Sequence, residues 1–368
     1  MVTNDVLWPA EPHTKAKHEL YSHYLSKWMP IMIQGKWNGD VTYAEGFAGP
    51  GIYLNDDAPG SPIIAFRTIR DDENLRIAQR RRSKPLRMLF VEKDRARSER
   101  LVAELTKASH PLPLNELPAR ANLRVEVRRG SCEPDLERLL TQHQCWGKPI
   151  LAVLDTWGSS VPIDLVRRIG HNPSSEVLIT IQPQFFSRFA NVTDITHGDK
   201  VFGGTWWREV ANQPSDRKTR WLIERYREVI REAGFTHVLD FELIDTRGAS
   251  LYLIFGTSHD RGLQKMKEAM WEVDSTTGSG YRDPRDPDQQ TLEIEDMPQT
   301  DALRRLIRQR LQTLPEHHDT VWSLRRWAFY ETVYKESQVQ PVVDLMVARG
   351  QLVEISRNSS FRTVVGLP

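Results

Sequence analysis

The chain of 368 residues holds only two cysteines, Cys132 and Cys145. That excludes a disulfide framework or an all-cysteine metal site and suits a reducing compartment. No run of about 18 apolar residues occurs, so no membrane span is expected. Nothing in the first twenty residues has the apolar stretch of a secretory signal, and a cytoplasmic protein is the expectation. Net charge is +1, with Lys+Arg 50 against Asp+Glu 49. No global field selects an anionic partner, so any nucleic-acid contact must come from a local patch. No His-x-x-x-His or Cys-x-x-Cys spacing offers a metal site. No Gly-x-Gly-x-x-Gly, Gly-Lys-Ser/Thr or nucleophile elbow is present, which disfavours a dinucleotide site, a P-loop and an α/β-hydrolase.

What is present is an alternation of short apolar runs with longer amphipathic segments, the pattern of an α/β fold. Strands are expected at Val41–Glu45, Leu86–Glu92, Leu123–Arg128, Ile150–Asp155, Val177–Ile181, His237–Leu243 and Ser250–Gly256. Helices are expected at Arg97–Lys107, Pro134–His143, Pro162–Ile169, Lys218–Ala233 and Gly262–Val273. The turn signal Asp245–Gly248 (DTRG) makes the last two strands a hairpin. Seven strands closed by a hairpin match the sheet of a class I methyltransferase-like Rossmann fold. Ahead of it, Lys15–Ile33 reads as a helix with Tyr21, Tyr24, Leu25, Trp28 and Met32 near one face, kinked or ended by Pro30. A Gly/Pro/Asp-rich stretch, Asp274–Asp296, separates a small C-terminal unit. There, helices at Asp301–Leu314, Ser323–Val333 and Ser337–Arg349 precede strands at Gln351–Ile355 and Phe361–Val365 around a turn at Ser356–Ser360, the layout of a winged helix. The division is thus 1–39 helical extension, 40–295 Rossmann domain and 296–368 winged helix. The last unit carries ten Lys/Arg against seven Asp/Glu from Thr300 on. It could contact DNA or RNA, or serve as a protein-interaction module.

Four constellations can carry chemistry. The first is the loop Glu45, Gly46, Phe47, Ala48, Gly49, Pro50 and Gly51, where glycines after a strand let the backbone approach a ligand. A plain strand-to-helix turn would use the same residues. The second is Glu92 with Lys93 at the tip of the next strand, placed to accept both ribose hydroxyls of an adenosine ligand. A solvated loop carboxylate is the alternative. The third, Gly130-Ser131-Cys132, puts Ser131 and Cys132 beside an adenine, or makes Ser131 a helix N-cap. The fourth, Asp155-Thr156-Trp157-Gly158, keeps the acid and the ring of the acidic-Pro-Pro-aromatic motif of amino-group methyltransferases. There the acid and a backbone carbonyl orient the amine and the ring stacks on an extruded base. A capping Asp with a core Trp is the alternative. The catalytic candidates are therefore Asp155 and Trp157, and the expected cofactor is S-adenosylmethionine. Two basic runs are weaker: His13–His18 (HTKAKH) could reach a cofactor carboxylate or a phosphate, and Arg80–Lys84 (RRRSK), expected in a loop, could touch phosphates.

These residues together resemble the three-Cys-motif partner (TcmP) family of bacterial and phage proteins. The resemblance runs through His13–His18, Tyr21–Trp28 (YSHYLSKW), Tyr43–Tyr53 (YAEGFAGPGIY), Gly60-Ser61-Pro62, Val91-Glu92-Lys93, Asp155–Gly158, Phe202-Gly203 with Trp206, and Tyr252–Trp271. It covers nearly the whole chain, and its most specific element is FAGPG with the downstream GSP. It implies a methyltransferase-like Rossmann domain with a winged helix, and a partner resembling radical S-adenosylmethionine enzymes. Glu45 stands where the family often has Asp, and Thr156 where it often has Pro. Two functions follow as expectations: a methyltransferase acting on nucleic acid or a modified nucleobase, or a non-catalytic S-adenosylmethionine- or DNA-binding partner subunit. A hydrolase using Mg²⁺ on scattered carboxylates is a third.

Overall fold

The structure, a computed structural model, describes residues 6–34, 40–55, 57–156, 161–192, 196–245, 248–275, 277–278, 280–282, 300–356 and 363–368. Seven strands form the centre: β1 (Val41–Glu45), β2 (Leu86–Glu92), β3 (Leu123–Arg129), β4 (Ile150–Leu154), β5 (Glu176–Ile181), β6 (His237–Ile244) and β7 (Ser250–Thr257). Their order is β3-β2-β1-β4-β5-β7-β6, and a three-residue β8 (Gly280–Arg282) extends the edge beyond β6. From β3 to β5 all neighbours are parallel; β7 runs antiparallel to both β5 and β6. This is a mostly parallel, Rossmann-like α/β sheet. The expected strands are all there, with ends displaced by a residue or so. β1, β4 and β5 are buried along their whole length, as strands covered by helices on both faces must be; β4 is an unbroken apolar run, and β1 and β5 add a few buried polar residues to theirs. β6 instead alternates buried and half-buried positions.

The first helix, α1 (Pro12–Gln34), runs through Pro30, which does not end it. Its buried face is aromatic. The Tyr24 hydroxyl donates to Glu176 Oε2 at 2.5 Å, and Thr257 Oγ1 donates to the other oxygen at 2.8 Å. Burial raises the Glu176 carboxyl to about 6, against the lowering effect of these bonds. One carboxylate at the start of β5 thereby ties together α1, β5 and the end of β7.

Between β1 and β2 lie two helices that periodicity did not reveal: α2 (Ser61–Arg70) and Glu73–Arg81, the latter capped by Asp72, which accepts from Leu75 N at 3.0 Å. Arg80 and Arg81 close that second helix, so only Arg82, Ser83 and Lys84 of the basic run lie in the expected loop. The change has a physical reason, since cations in a last turn complement the helix dipole. Arg82 is also turned inward. Its Nη1 donates to the carbonyls of Met32 at 2.9 Å and Ile33 at 3.1 Å, which lie in the last turn of α1 and lack intrahelical donors. Burial lowers the Arg82 pKa.

The molecule divides into two compact units, the second comprising Met266–Gly280 with residues 290–368. The expected boundary near residue 295 lies outside the described residues. In the second unit the helices Thr300–Thr313, Val321–Glu331 and Glu336–Ala348 surround a core that includes Trp271, Leu303, Ile307, Leu324, Val339 and Met346. Strands β9 (His318–Thr320), β10 (Val353–Ser356) and β11 (Val364–Gly366) form an antiparallel sheet in the order β10-β11-β9. β9 was not anticipated, because His-Asp-Thr carries no apolar alternation. The turn expected at Ser356–Ser360 falls, apart from Ser356, outside the described residues. Lys267 is wholly buried here and donates to the carbonyls of Ala328, Phe329 and Tyr334.

Replacing Arg82 by Ala should strip the end of α1 of its donors and destabilise the protein by about 1–2 kcal/mol. The urea midpoint should fall with an unchanged slope, and an unaltered midpoint would refute the capping role.

Candidate functional site

The loops leaving β1, β2 and β4 at their carboxyl ends enclose a cavity of about 460 Å³. Open parallel sheets bind ligands at that edge, where the strand order reverses. Here the reversal falls between β1 and β4, and Gly46 and Asp155 flank it in the cavity wall. The volume lies within the roughly 300–1,000 Å³ usual for small-molecule sites.

The glycine loop is held in place by its own backbone. Gly46 N donates to Val153 O at 3.1 Å, Ala48 N to Val91 O at 3.0 Å, and Gly60 N to Gly51 O at 2.7 Å. Gly49 and Gly51 have φ of +65° and +83°, values other residues rarely adopt. At Gly46 an added Cβ would lie 2.5 Å from Cys132 Sγ. The glycines are therefore needed for this path of the backbone. Phe47, Ala48 and Pro50 complete its share of the wall.

Glu92 is locked to the loop across the strand gap. Its Oε2 accepts from Gly49 N at 2.9 Å and its Oε1 from Asp94 N at 2.8 Å. A carboxylate offers about four lone-pair directions, so two remain for a ligand's hydroxyls. Only 8% of the residue is exposed, which sets aside the solvated-loop alternative. Lys93 lines the same wall. Ser131 and Cys132 reach it from beyond β3. Ser131 stands where an N-cap would, yet its side chain makes no capping bond; its backbone N donates to Asp135 Oδ2 at 2.9 Å. Burial pushes the Cys132 thiol up to about 12, so it is no nucleophile at neutral pH.

Glu45 is the exception among the expected contacts. It lies behind the wall, 1% exposed. Its oxygens meet the Tyr43 hydroxyl at 2.6 Å and the Ser61 hydroxyl at 2.7 Å. Burial raises its carboxyl from 4.5 to about 8, against the lowering effect of these hydrogen bonds. Burial thus favours its uncharged form, and through Ser61 it fixes α2 to the sheet.

Asp155 does line the cavity, and Lys17 of α1 forms an ion pair with its Oδ2; the two side chains are 13% and 3% exposed. Beside it, Thr156 is bound on both sides by one hydroxyl: its N donates to Thr180 Oγ1 at 2.7 Å, and Thr180 Oγ1 donates to its carbonyl at 3.1 Å. Trp157 and Gly158 lie outside the described residues. The basic run HTKAKH thus splits: Lys17 is an internal counter-ion, while His18 is buried, held down to about 3 by burial and by Lys17, and packed on Tyr53.

Several cavity residues had no site role in the sequence: Trp8, Arg97, Glu133 and His197, and also Tyr53 and Ser61, which entered only through the resemblance. Arg97 stacks over the Trp8 ring at 4.6 Å, and Trp8 meets Tyr53 edge-on at 6.1 Å. Ser61-Pro62 carries a helix-start signal, Pro just inside the first turn. The others come from separate segments with no shared spacing. Among the described residues no group of three or more His, Cys, Asp or Glu could hold a metal. No helix among them is long and apolar enough to cross a membrane. No known family model matches the chain, and no curated protein matches it significantly.

Because the Glu45 pKa is raised on folding, its contribution to stability is full below about pH 4.5 and is lost as pH rises through about 8. Glu45→Gln keeps the shape and cannot ionise, so it should remove this loss, on the order of a few kcal/mol. Urea melts at pH 5 and pH 8.5 measure it; parallel pH dependence in the two proteins would refute the assignment.

Proposed function

We propose that this chain binds S-adenosylmethionine in the cavity and transfers its methyl group to a nucleic acid or a modified nucleobase. The observation that carries the reading is the strand order β3-β2-β1-β4-β5-β7-β6, with β7 alone reversed and a glycine-walled cavity at the reversal. A sheet of this order with one reversed strand is the one expected of a class I methyltransferase-like fold, which supports the reading. In the proposed complex the backbone from Gly46 to Gly51 receives the amino-acid end and Glu92 accepts the ribose hydroxyls. Ser131 and Cys132 border the adenine. The bound cofactor would supply an electrophilic methyl group, leaving the protein to orient an acceptor and exclude water. Asp155 would face that acceptor. The three helices and small sheet of the C-terminal unit are read as a winged helix that holds the substrate or a partner, as the resemblance to the TcmP family implies.

One observation favours a second reading, a cofactor-binding subunit without transferase activity. The two acceptors that would orient a target amine already have partners: Lys17 holds the Asp155 carboxylate, and Thr180 holds the Thr156 carbonyl. On this reading the partner is the cysteine-motif, radical-enzyme-like protein.

Titration calorimetry with S-adenosylmethionine tests what both readings share. Binding should be measurable, and Glu92→Ala should weaken it by at least roughly 10-fold, since even one hydrogen bond to a charged group contributes about 1.5–3 kcal/mol. No binding by the native chain would refute both readings. Transfer of a labelled methyl group to a nucleic-acid pool then separates them. Lys17→Met with Asp155→Asn removes both charges together and avoids stranding a buried ion, which costs about 3–5 kcal/mol. Loss of transfer with binding kept supports the enzyme; cellular function unchanged in this double variant supports the subunit.

A further inference from the structure

In a winged helix the third helix is the element usually laid in the major groove. Here that helix, Glu336–Ala348, contains no lysine or arginine. Its exposed face carries Ser337, Pro341, Asp344 and Ala348, a surface with one negative charge and no long donor. That face offers a duplex no cation of its own; Lys335 and Arg349 stand only at the two caps. The first helix of the unit instead carries four arginines, whereas Arg325 and Arg326 of the second helix pair with Glu336. Arg304, Arg305 and Arg308 line one depression of about 230 Å³, with Asp301, Met346 and Gln351. Asp301 pairs with Arg304. Among the described residues Arg305 and Arg308 are exposed and have no carboxylate partner.

We infer that this arginine depression on the helix Thr300–Thr313 binds the phosphodiester backbone of a nucleic acid, and that the third helix does not enter the groove. Two unpaired guanidiniums one turn apart can each contact a phosphate oxygen. Gln351 at the edge can add a hydrogen bond. Nothing here reads base edges, so the binding expected is independent of sequence. It stands apart from the cofactor reading, since a chain that bound no S-adenosylmethionine would still bind a duplex at this place.

The test uses the full chain and a fluorescein-labelled duplex of mixed sequence, followed by anisotropy from low to high salt. The native protein should bind with a log–log salt slope that Arg305→Ala with Arg308→Ala reduces by roughly 1.8, about 0.9 for each lost phosphate contact. Asp344→Lys should leave affinity within about twofold, because a third helix away from the groove gains nothing from an added charge. Both sites are exposed, and equal melting temperatures for the variants would show that folding is unchanged. The inference is overturned if the native chain binds no duplex, if the arginine variant keeps its salt slope, or if Asp344→Lys alone tightens binding. Poly-L-glutamate bound as tightly, with the same dependence on Arg305 and Arg308, would also overturn it in favour of an acidic polypeptide.

Discussion

An ammonium and a carboxylate meet at the buried end of β4, where Lys17 from α1 holds Asp155 at the cavity wall. Neither charge could be kept there alone, because an uncompensated ion in such a place costs several kcal/mol. The pair therefore commits α1 to the sheet as firmly as its aromatic face does. It also sets the state of its neighbours. Lys17 adds to burial in keeping His18 neutral. Asp155 adds to burial in raising Tyr21, Tyr53 and Glu45. The result is a polar layer beneath the cavity in which one ion pair sits beside Glu45 and phenols whose neutral forms burial favours.

Above that layer the glycine loop forms one wall of the cavity. Glycines at Gly46, Gly49 and Gly51 let the chain turn without side chains, and Glu92 binds the loop to the next strand. Such a wall suits a ligand recognised by hydrogen bonds to its polar rim. The same tight construction explains why Asp155 is ambiguous as a catalytic group. A carboxylate engaged by a buried lysine is held in one position and already has a partner. In the C-terminal unit, Lys267 plays the corresponding structural part by bonding three carbonyls.

Much of the sheet was legible because parallel strands between helices must be apolar on both faces. Val41–Glu45 and Leu86–Glu92 were read to the residue for that reason. The helix Glu73–Arg81 was not legible, since its sequence ENLRIAQRR offers only Leu75 and Ile77 as apolar markers and buries Leu75 with Gln79. Among the site residues, Glu92 and the glycines stood at strand ends, where position alone implies contact with a cavity. Glu45 stood at such an end too, yet its side chain turns back toward Ser61.

By itself the sequence determined the alternation of strands and helices, the glycine loop and the acidic strand tips, because hydrophobic period and backbone permissiveness are local properties. Only the tertiary structure decided which charges meet. Lys17 and Asp155 are 138 positions apart, and Arg82 reaches back to cap α1. Ion pairing, burial and the protonation they impose depend on what the fold brings within a few ångströms, and no spacing along the chain encodes that.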